Sequence, residues 1–238
     1  MERLPAMECM GRHERSRRDG MPRVDVRLVL FKVCDVGLMI ALHQRRGCQS
    51  LPRRDPKFNE GLDAAATRIL DDEIGTGERY QEQLYSISHA SQGDWRTRVT
   101  CLALALARAG ESSTDGSAWF RLSAPAELHP ADRMIVDYAL VRLRAKLGYT
   151  TIAFHLLTPN FTLNEVQTVS EAVLHLRVDN RRIRRRMHAA GLSDETGESR
   201  REGSHRPARL YRFRAAHDAE TFFTPIWAAQ AELKAANR

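Results

Sequence analysis

The feature that most constrains the fold is the stretch 179–192, DNRRIRRRMHAAGL, in which five arginines fall within six consecutive positions. Ile183, Met187 and Ala190 recur at helical spacing, so the stretch predicts a short helix with a narrow apolar strip. Such a helix is not stable alone and must pack on neighbours through that strip. The opposite face then presents a row of guanidinium groups, which repel one another unless an anionic partner lies against them.

Residues at both ends of this helix mark where it begins and where it ends. Asp179 can cap the first turn, because its carboxylate accepts a hydrogen bond from a free N–H group there. Gly191 can end the helix in the left-handed conformation. Upstream, the run from Thr162 to Glu165 is a capping box, which predicts a first helix reaching to about Leu174. Two helices joined by a few residues, the second of them basic, indicate a helix-turn-helix.

The chain beyond the basic helix predicts a hairpin. Residues 192–196 and 208–213 can pair as strands around the arginine-bearing loop 197–207. A basic hairpin after a recognition helix is typical of a winged helix, in which the helix enters the major groove and the wing reaches the phosphate backbone or a minor groove. The apolar terminal stretch, residues 219–237, predicts a last helix that packs on the body or on a second subunit.

The predicted contacts with a duplex follow from the hydrogen bonds that each side chain can make. Thr162 and the amides at the start of the first helix meet phosphates, as helix N-termini do. Asn180, Arg181 and either Arg184 or Arg185 face bases, because arginine grips guanine and asparagine grips adenine. The wing arginines reach the phosphate backbone of the DNA. The predicted DNA-binding residues are Thr162, Asn180, Arg181, Arg182, Arg184, Arg185, Arg200, Arg201, Arg206 and Arg209.

Charge and cysteine usage agree with such a partner. The net charge is +7, and much of the excess sits in residues 1–23 and 177–214, which suits a polyanion. The alternative is a solvated basic face with no partner. The four cysteines form no CxxC pair and have no histidine at metal-ligand spacing, which predicts free thiols in a reducing cytoplasm. No apolar run approaches the ~20 residues of a membrane helix.

The first 147 residues have a different pattern. Residues 1–22 lack an apolar core, so they predict a flexible basic tail rather than a secretion signal. Strands alternate with helices from residue 23 to residue 147, which predicts an α/β or α+β sandwich of ordinary domain size. The pattern predicts a polar loop over 43–59, a helix over 61–74 capped by Asn59 or Asp63, a turn over 89–96 and a helix over 132–147.

The helix over 61–74 contains a degenerate motif. The run Arg68-Ile-Leu-Asp-Asp-Glu-Ile-Gly75 resembles the Nudix box, R-E-U-x-E-E-x-G, with U a bulky aliphatic residue. In that family the glutamates lie on one helix and hold a divalent metal against a diphosphate. Here Ile69 replaces the first glutamate and Asp72 the second, and Leu51-Pro52 is followed by Arg53-Arg54 in place of a glycine pair.

These replacements predict the loss of catalysis. A hard cation such as Mg²⁺ needs oxygen ligands, and Ile69 removes both a ligand and a negative charge. Two acids, Asp72 and Glu73, are the remaining metal candidates and are too few for hydrolysis. The sequence therefore predicts no catalytic residue, no metal and no cofactor, with Mg²⁺ relevant only if some hydrolysis survives.

A Nudix-like domain followed by a basic winged module resembles the Nudix-related transcriptional regulators of NAD metabolism. The resemblance covers nearly everything from residue 24 to residue 213. Its most specific part is carboxy-terminal, in the runs FTL, EVQ, RRIRR, ETG, RPA and LY between residues 161 and 211. It implies an α+β fold: a Nudix-like α/β/α sandwich followed by a winged helix-turn-helix domain.

The resemblance also implies an organisation and a function. A Nudix-like ligand-sensing domain spans 23–147, and the DNA-binding domain with its terminal helix spans 148–238. The chain is then a dimeric, cytoplasmic repressor of NAD biosynthesis or salvage genes. It binds double-stranded operator DNA until ADP-ribose or a related nucleotide releases it, and it has no membrane partner. The box residues Arg68, Asp72 and Glu73 are the predicted ligand-binding residues.

Two alternatives stay open at this point. The first is an enzyme, a Nudix hydrolase that cleaves ADP-ribose or another nucleoside diphosphate derivative and binds nucleic acid only loosely. The second is a regulator that has lost its small ligand and responds to another protein.

Overall fold

The structure is a computed structural model that describes residues 23–45, 48–91, 94–113, 117–123, 128–189, 191–201 and 207–214. The predicted tail (1–22), the predicted last helix (219–237) and Arg206 lie outside these residues. Within them, none of the helices combines the length and the apolarity that crossing a membrane requires.

The elements fall into two modules. The first module consists of β1 (Arg23–Cys34), β2 (Gly37–Arg45), β3 (Cys48–Ser50), β4 (Arg53–Arg54), α1 (Leu62–Ile74), β5 (Tyr80–Ser91), β6 (Asp94–Leu106), β7 (Ser117–Arg121) and α2 (Pro130–Tyr149). The winged module consists of a 3-10 helix (Ile152–Leu156), β8 (Asn160–Phe161), α3 (Leu163–Leu174), α4 (Asn180–Ala189), β9 (Ser193–Arg200) and β10 (Ala208–Phe213).

One mixed sheet organises the first module. Its main strand order is β3-β2-β1-β6-β5, with β4 paired to β1 and β7 paired to β2. The central strands β1 and β6 run parallel, with Val26 opposite Cys101, whereas the other pairs are antiparallel. Since a parallel pair is stable only when both faces are covered, the centre of the sheet needs a layer on each side.

The alternation of β1 shows what those layers are. Successive side chains of a strand point to opposite faces. Val26, Leu28 and Leu30 share a buried cluster with α1, while Val29, Phe31 and Val33 share another with α2. The first module is therefore the predicted α/β/α sandwich. The buried side chains that the two helices contribute are Ala65, Ala66, Ile69, Leu70 and Ile74 from α1, and Ile135, Val136, Ala139 and Leu143 from α2.

The winged module is a helix-turn-helix followed by a hairpin, as predicted. Its small sheet has the order β8-β10-β9. The capping box at the start of α3 is confirmed: the Glu165 N–H group donates to Thr162 Oγ1 at 3.2 Å, and the Thr162 N–H group donates to Glu165 Oε2 at 2.6 Å. The α+β class with a Nudix-like sandwich and a winged helix is confirmed.

The two modules share one apolar core. The cluster on the α2 face of the sheet continues through Leu147 and Ile152 to Val166 and Ile183. A hydrogen bond also joins the two modules, because Arg144 Nε of α2 donates to the Val173 carbonyl of α3 at 2.8 Å. The predicted domain boundary at residues 147 and 148 falls inside this continuous packing and stays a prediction.

Several local predictions were wrong. The segment predicted as a polar loop over 43–59 contains the end of β2 and all of β3 and β4. Two of its polar side chains, His43 and Gln49, are buried in these strands and are compatible with them because they bond Glu73 and Gln44. The helix α1 begins after Gly61 without a side-chain cap, so neither Asn59 nor Asp63 caps it. The predicted turn over 89–96 is mostly strand, since β5 reaches Ser91 and β6 starts at Asp94.

Candidate functional site

The basic helix α4 has the caps that the sequence predicted. Asp179 Oδ1 accepts the Arg181 N–H group at 2.9 Å. At the other end Gly191 has φ +59°. The Leu192 N–H group donates to the Met187 carbonyl and the Gly191 N–H group to the His188 carbonyl, each at 3.2 Å. This pair of bonds is a Schellman motif, which stops the helix at a glycine.

The apolar strip of α4 holds the arginine row outward. Ile183 and Met187 are buried in the shared core. Arg181, Arg184 and Arg185 are exposed, and no acid within the described residues pairs with them. Arg182 is half-buried and makes contacts within the protein. The helix therefore presents uncompensated positive charge on one open face, as the sequence predicted.

A cleft of about 750 Å³ lies between α4, the start of α3 and the wing. It is open to solvent on the side where Arg184 and His188 of α4 face Arg209 and Tyr211 of β10. Its lining holds Arg209 together with the acids Asp194 and Glu195, so the uncompensated positive charge lies on the arginine row beside the cleft. A concavity beside such a row suits a polyanionic strand, because phosphate contacts position a duplex and base contacts specify it.

Asn180, one of the predicted base contacts, is bonded to the neighbouring helix α3. Its Nδ2 donates to Asn164 Oδ1 at 2.7 Å, and its own Oδ1 is buried without a partner among the described residues. In the DNA-free chain the amide therefore lies against α3 rather than outward, and the predicted contact of Asn180 with adenine stays a prediction. The reason for this orientation is tertiary, because the first residue of α4 faces the neighbouring helix.

Thr162 is also less available than predicted. It is only 3% exposed, and its N–H group already donates to Glu165. A phosphate at this end of α3 is left with the Thr162 hydroxyl, which borders the cleft, and the amides of the first helical turn. The predicted contact through that turn stays a prediction.

The wing arginines differ from one another. Arg200 Nη1 pairs with Glu165 Oε1 at 2.8 Å and its Nη2 donates to the Asn160 carbonyl at 2.9 Å. It therefore braces the wing against the α3 cap, and its predicted contact with the DNA backbone stays a prediction. Arg209 bonds both oxygens of Glu195 at 3.0 and 3.1 Å, yet its side chain is 72% exposed. Arg201 is exposed.

The Nudix-box arginine is fully engaged inside the first module. Arg68 Nε and Nη2 donate to the two oxygens of Glu60, each at 2.7 Å, and Nη2 also donates to the Asp55 carbonyl at 3.2 Å. The hydrogen bond from Arg68 is the main reason that the pKa of Glu60 falls to about 2. The guanidinium therefore anchors the loop before α1, and its predicted ligand-binding role stays a prediction.

The box glutamate is buried. Glu73 is 0% exposed, and its Oε1 lies 2.7 Å from His43 Nε2. Its Oε2 has no hydrogen-bond partner among the described residues. The carboxylate is therefore closed to solvent in the ligand-free chain, and its predicted ligand-binding role stays a prediction. Asp72 is exposed on α1, and its role stays a prediction.

The donor set does not fit a catalytic magnesium site. Ile69, which stands where the family has a glutamate, is 0% exposed in the core under α1. Asp72 faces solvent while Glu73 points inward. Within the described ranges, no three histidine, cysteine or acidic side chains are grouped so that they could hold a metal ion.

A second cleft, of about 630 Å³, opens in the first module, and His43, the partner of Glu73, is one of its lining residues. Arg27 lines this cleft and is held by two acids, with Nε 3.1 Å from Asp25 Oδ2 and Nη1 2.5 Å from Asp132 Oδ1. The Leu51 N–H group donates to Asp132 Oδ2 at 3.2 Å. The residues that can contact a ligand there include His43, Ser50, Arg53, His129 and Met134.

Arg53 is the ligand-binding candidate that sequence reasoning missed. It is exposed at this cleft, and no acid within the described residues pairs with it. The signal was present in the sequence, because Arg53-Arg54 stands where the family has a glycine pair after Leu51-Pro52. An arginine at that point supplies a cation where the glycines would supply backbone N–H groups.

Comparison with known proteins assigns the family. Residues 153–213 match the model of the NrtR DNA-binding winged helix domain. The ADPR responsive transcriptional repressor NtrR of Acinetobacter baylyi is 32% identical over 206 residues, which cover 81% of this chain and 82% of that protein. The chain belongs to the NrtR family. The predicted resemblance to Nudix-related transcriptional regulators is thus confirmed.

Solved structures of similar fold agree with this assignment. NrtR of Shewanella oneidensis, crystallised with a 27mer DNA, has a TM-score of 0.73 at 26% identity and covers 85% of this chain and 98% of its own. A MutT/nudix family protein from Enterococcus faecalis has a TM-score of 0.65 at 19% identity, with 90% of each chain covered. The second match concerns the fold alone.

Proposed function

We propose that this NrtR-family chain is a repressor that binds operator DNA of NAD biosynthesis or salvage genes through α4 and the wing. The observation that carries the proposal is that Arg181, Arg184 and Arg185 are exposed on α4, have no acidic partner among the described residues, and lie beside an open cleft of about 750 Å³. The relatives agree, since the Acinetobacter protein is named a transcriptional repressor and the Shewanella protein was crystallised with DNA. The place of action that we propose is the cytoplasm.

Base reading is assigned to the exposed part of the row. Arg181, Arg184 and Arg185 are free to grip guanine, whereas Asn180 is turned toward α3. Arg201 and Arg209 of the wing reach phosphates, and Arg209 exchanges its Glu195 partner for DNA. Counterion release makes this binding salt-dependent.

We assign the effector, ADP-ribose or a related nucleotide, to the cleft of about 630 Å³ in the first module. Its volume suits a small-molecule pocket, which is commonly ~300–1,000 Å³. Arg53 offers an unpaired guanidinium to a diphosphate. The Acinetobacter relative is named as responsive to ADPR. Calorimetry should show that Arg53→Gln weakens ADP-ribose binding by about tenfold, whereas Arg121→Gln on β7 leaves it unchanged.

The helix α2 is the element that links the two sites. Its first turns, at Asp132 and Met134, line the effector cleft. Its later turns pack on the winged module through Leu143 and Leu147, and Arg144 bonds the end of α3. A nucleotide that binds one position of α2 more tightly shifts the population of winged-module arrangements. A differential affinity of about 1–3 kcal/mol is typical of such coupling.

Operator affinity with and without ADP-ribose tests this switch. We expect the Kd for operator to rise by at least about fivefold at saturating ADP-ribose, the lower bound for a coupling of this size. Unchanged affinity at saturation rejects the switch. Thermal shift across a nucleotide panel then separates a different small effector from a regulator that answers to another protein, because any tightly bound nucleotide raises the melting temperature.

We further propose that the first module does not hydrolyse its ligand. The reasons are the buried Ile69, the enclosed Glu73 and the solvent-facing Asp72. Incubation of ADP-ribose with the chain and Mg²⁺ should release no AMP above a blank. AMP release that disappears in Glu73→Gln would instead favour the Nudix hydrolase.

A second copy of the chain is the partner we propose for the exposed face of α2. Met134, Tyr138 and Val141 are 56%, 46% and 62% exposed and lie on one stripe of the helix. Two winged helices must be held together to read two half-sites, and Met134 also borders the effector cleft. Light scattering should give a dimer for the wild type and a smaller mass for Val141→Glu, with Val36→Glu on the β1–β2 turn as the exposed apolar control.

A further inference from the structure

A third cavity, of about 470 Å³, lies where the two modules meet. Its walls come from the start of β5, the end of α2, the 3-10 helix and the end of β10, and it shares no lining residue with the effector cleft. We call it the junction cavity. The side chains that give it its chemistry are Arg79, Tyr80, Arg108, Lys146, His155 and Arg212.

Two of its cations are neutralised by the protein itself. Arg79 Nη2 pairs with Glu111 Oε1 at 3.0 Å. Lys146 Nζ pairs with Glu82 Oε2 at 2.5 Å and donates to the Tyr80 hydroxyl at 2.9 Å. Burial alone would lower the pKa of Lys146, but these two bonds outweigh it and raise the pKa. The base of the cavity is therefore a fixed polar network.

The other two arginines are not neutralised. Arg108 is half-buried, and within the described residues no acid pairs with its guanidinium. Arg212 is exposed and donates through Nε to Asn160 Oδ1 at 3.2 Å, which is a neutral partner. Glu78 also lines the cavity and is exposed. The lining thus carries an excess of positive charge, which a small anion can neutralise.

Aromatic rings stand beside these cations. The ring centroids of Tyr80 and His155 are 5.0 Å apart, with the planes tilted by 45°. Phe154 stacks on Phe213 of β10 at 4.5 Å. Burial raises the pKa of Tyr80, so its phenol stays neutral. Aromatic walls next to an unpaired guanidinium favour a ligand that joins a planar ring to an anionic group.

We propose that the junction cavity binds a small metabolite that carries a phosphate and a planar ring, with Arg108 and Arg212 on the phosphate and the aromatic wall against the ring. Because both modules supply walls, the ligand bridges the sensing and DNA-binding parts of the chain. The proposal does not depend on the ADP-ribose switch, since the two cavities have no residue in common.

Isothermal titration of the full chain with AMP, inorganic phosphate and adenosine tests this proposal. We expect AMP to bind at least about tenfold more tightly than adenosine, because adenosine lacks the charge-assisted hydrogen bonds. Inorganic phosphate should bind more weakly than AMP, because it lacks the ring. The variant Arg108→Gln should weaken AMP binding by about tenfold, and Arg121→Gln, a matched arginine on β7, should not change it.

The reciprocal pair of variants separates this site from the effector cleft. Arg108→Gln should keep the wild-type affinity for ADP-ribose, and Arg53→Gln should keep the wild-type affinity for AMP. The proposal is overturned if AMP gives neither heat nor thermal shift at millimolar concentration. It is equally overturned if AMP binding survives Arg108→Gln, or is lost in Arg53→Gln. Loss of the ADP-ribose response with intact AMP binding would refute the switch and leave the junction site standing.

Discussion

The helices α1 and α4 are both short and charged, but charged side chains of α1 are paired within the protein whereas exposed arginines of α4 are not. On α1, Arg68 is bound by Glu60, and Glu73 is buried against His43. On α4, Arg181 and Arg185 face solvent with no acid of the described residues against them. The Nudix-box helix has its electrostatic partners within its own module, whereas Arg181, Arg184 and Arg185 of the basic helix have no acidic partner among the described residues.

This difference separates a scaffold from a binding surface. A charge that the protein itself pairs contributes to the fold and has little left to offer a ligand. A row of like charges held apart from acids costs stability through repulsion, which a polyanion relieves. The same reasoning moves the ligand site of the first module away from the box residues and toward Arg53, whose guanidinium is open.

The largest expected effect comes from restoring the family glutamate on α1. Because Ile69 is 0% exposed, Ile69→Glu should destabilise the fold by about 3–5 kcal/mol, the cost of an uncompensated buried charge. The control Ile69→Val should cost only about 0.5–1.5 kcal/mol. Urea unfolding measures both. A stable Ile69→Glu variant that gains Mg²⁺-dependent hydrolysis would show that α1 is a catalytic helix rather than a scaffold.

A smaller effect is expected on α4. Arg185→Ala should weaken specific operator binding by about 1–3 kcal/mol, because it removes a base contact in the major groove. Fluorescence anisotropy with operator and with a scrambled duplex measures the change. Arg121→Ala provides the control for lost charge. Equal operator binding by wild type and Arg185→Ala would contradict the assignment of α4 to the groove.

The two neighbouring wing arginines sharpen the contrast between paired and unpaired charge. Arg201→Ala should weaken binding to all duplexes alike and reduce the salt slope by about one. Arg200→Ala should leave the salt slope unchanged. It should lower the stability of the fold by up to about 1 kcal/mol, because its ion pair with Glu165 is only partly buried. Equal reductions of the slope would mean that Arg200 also meets phosphate.

The smallest expected effect is a pH dependence of the fold's stability that comes from Glu60, in the loop before α1. The pKa of Glu60 is about 2, below its ordinary value of 4.5. A carboxyl whose pKa is lowered by folding stabilises the fold above its unfolded pKa, and that contribution is lost as the pH falls from about 4.5 toward 2. Glu60→Gln should therefore flatten the decline of the melting temperature in this range. An unchanged decline would show that Arg68 does not hold Glu60.

The sequence predicted the winged module well because its signals are local. The capping box at Thr162 and Glu165, the cap at Asp179 and the glycine at 191 each act within one helical turn. The strip of Ile183 and Met187 then sets which face turns outward. The sandwich was also predictable, since strands alternating with helices need a layer on each face of a sheet.

The contacts that the sequence did not predict are those that span the fold. Nothing near Asn180 in sequence indicates that its amide bonds Asn164, sixteen positions earlier. The pairing of Glu73 with His43 joins α1 to β2 over thirty positions of sequence, and Arg200 finds Glu165 only once the wing has folded back on α3. The strands β3 and β4 were missed because prolines and arginines also suit a loop.

Selection of bound sequences from random duplex DNA tests the central claim most directly. A chain that reads operator DNA through paired α4 helices should enrich a palindrome with half-sites about 10 base pairs apart or at multiples of that spacing. Arg185→Ala should lose the preference at defined positions of each half-site. Enrichment of no common sequence by the wild type, or of the same palindrome at unchanged strength by Arg185→Ala, would contradict the account.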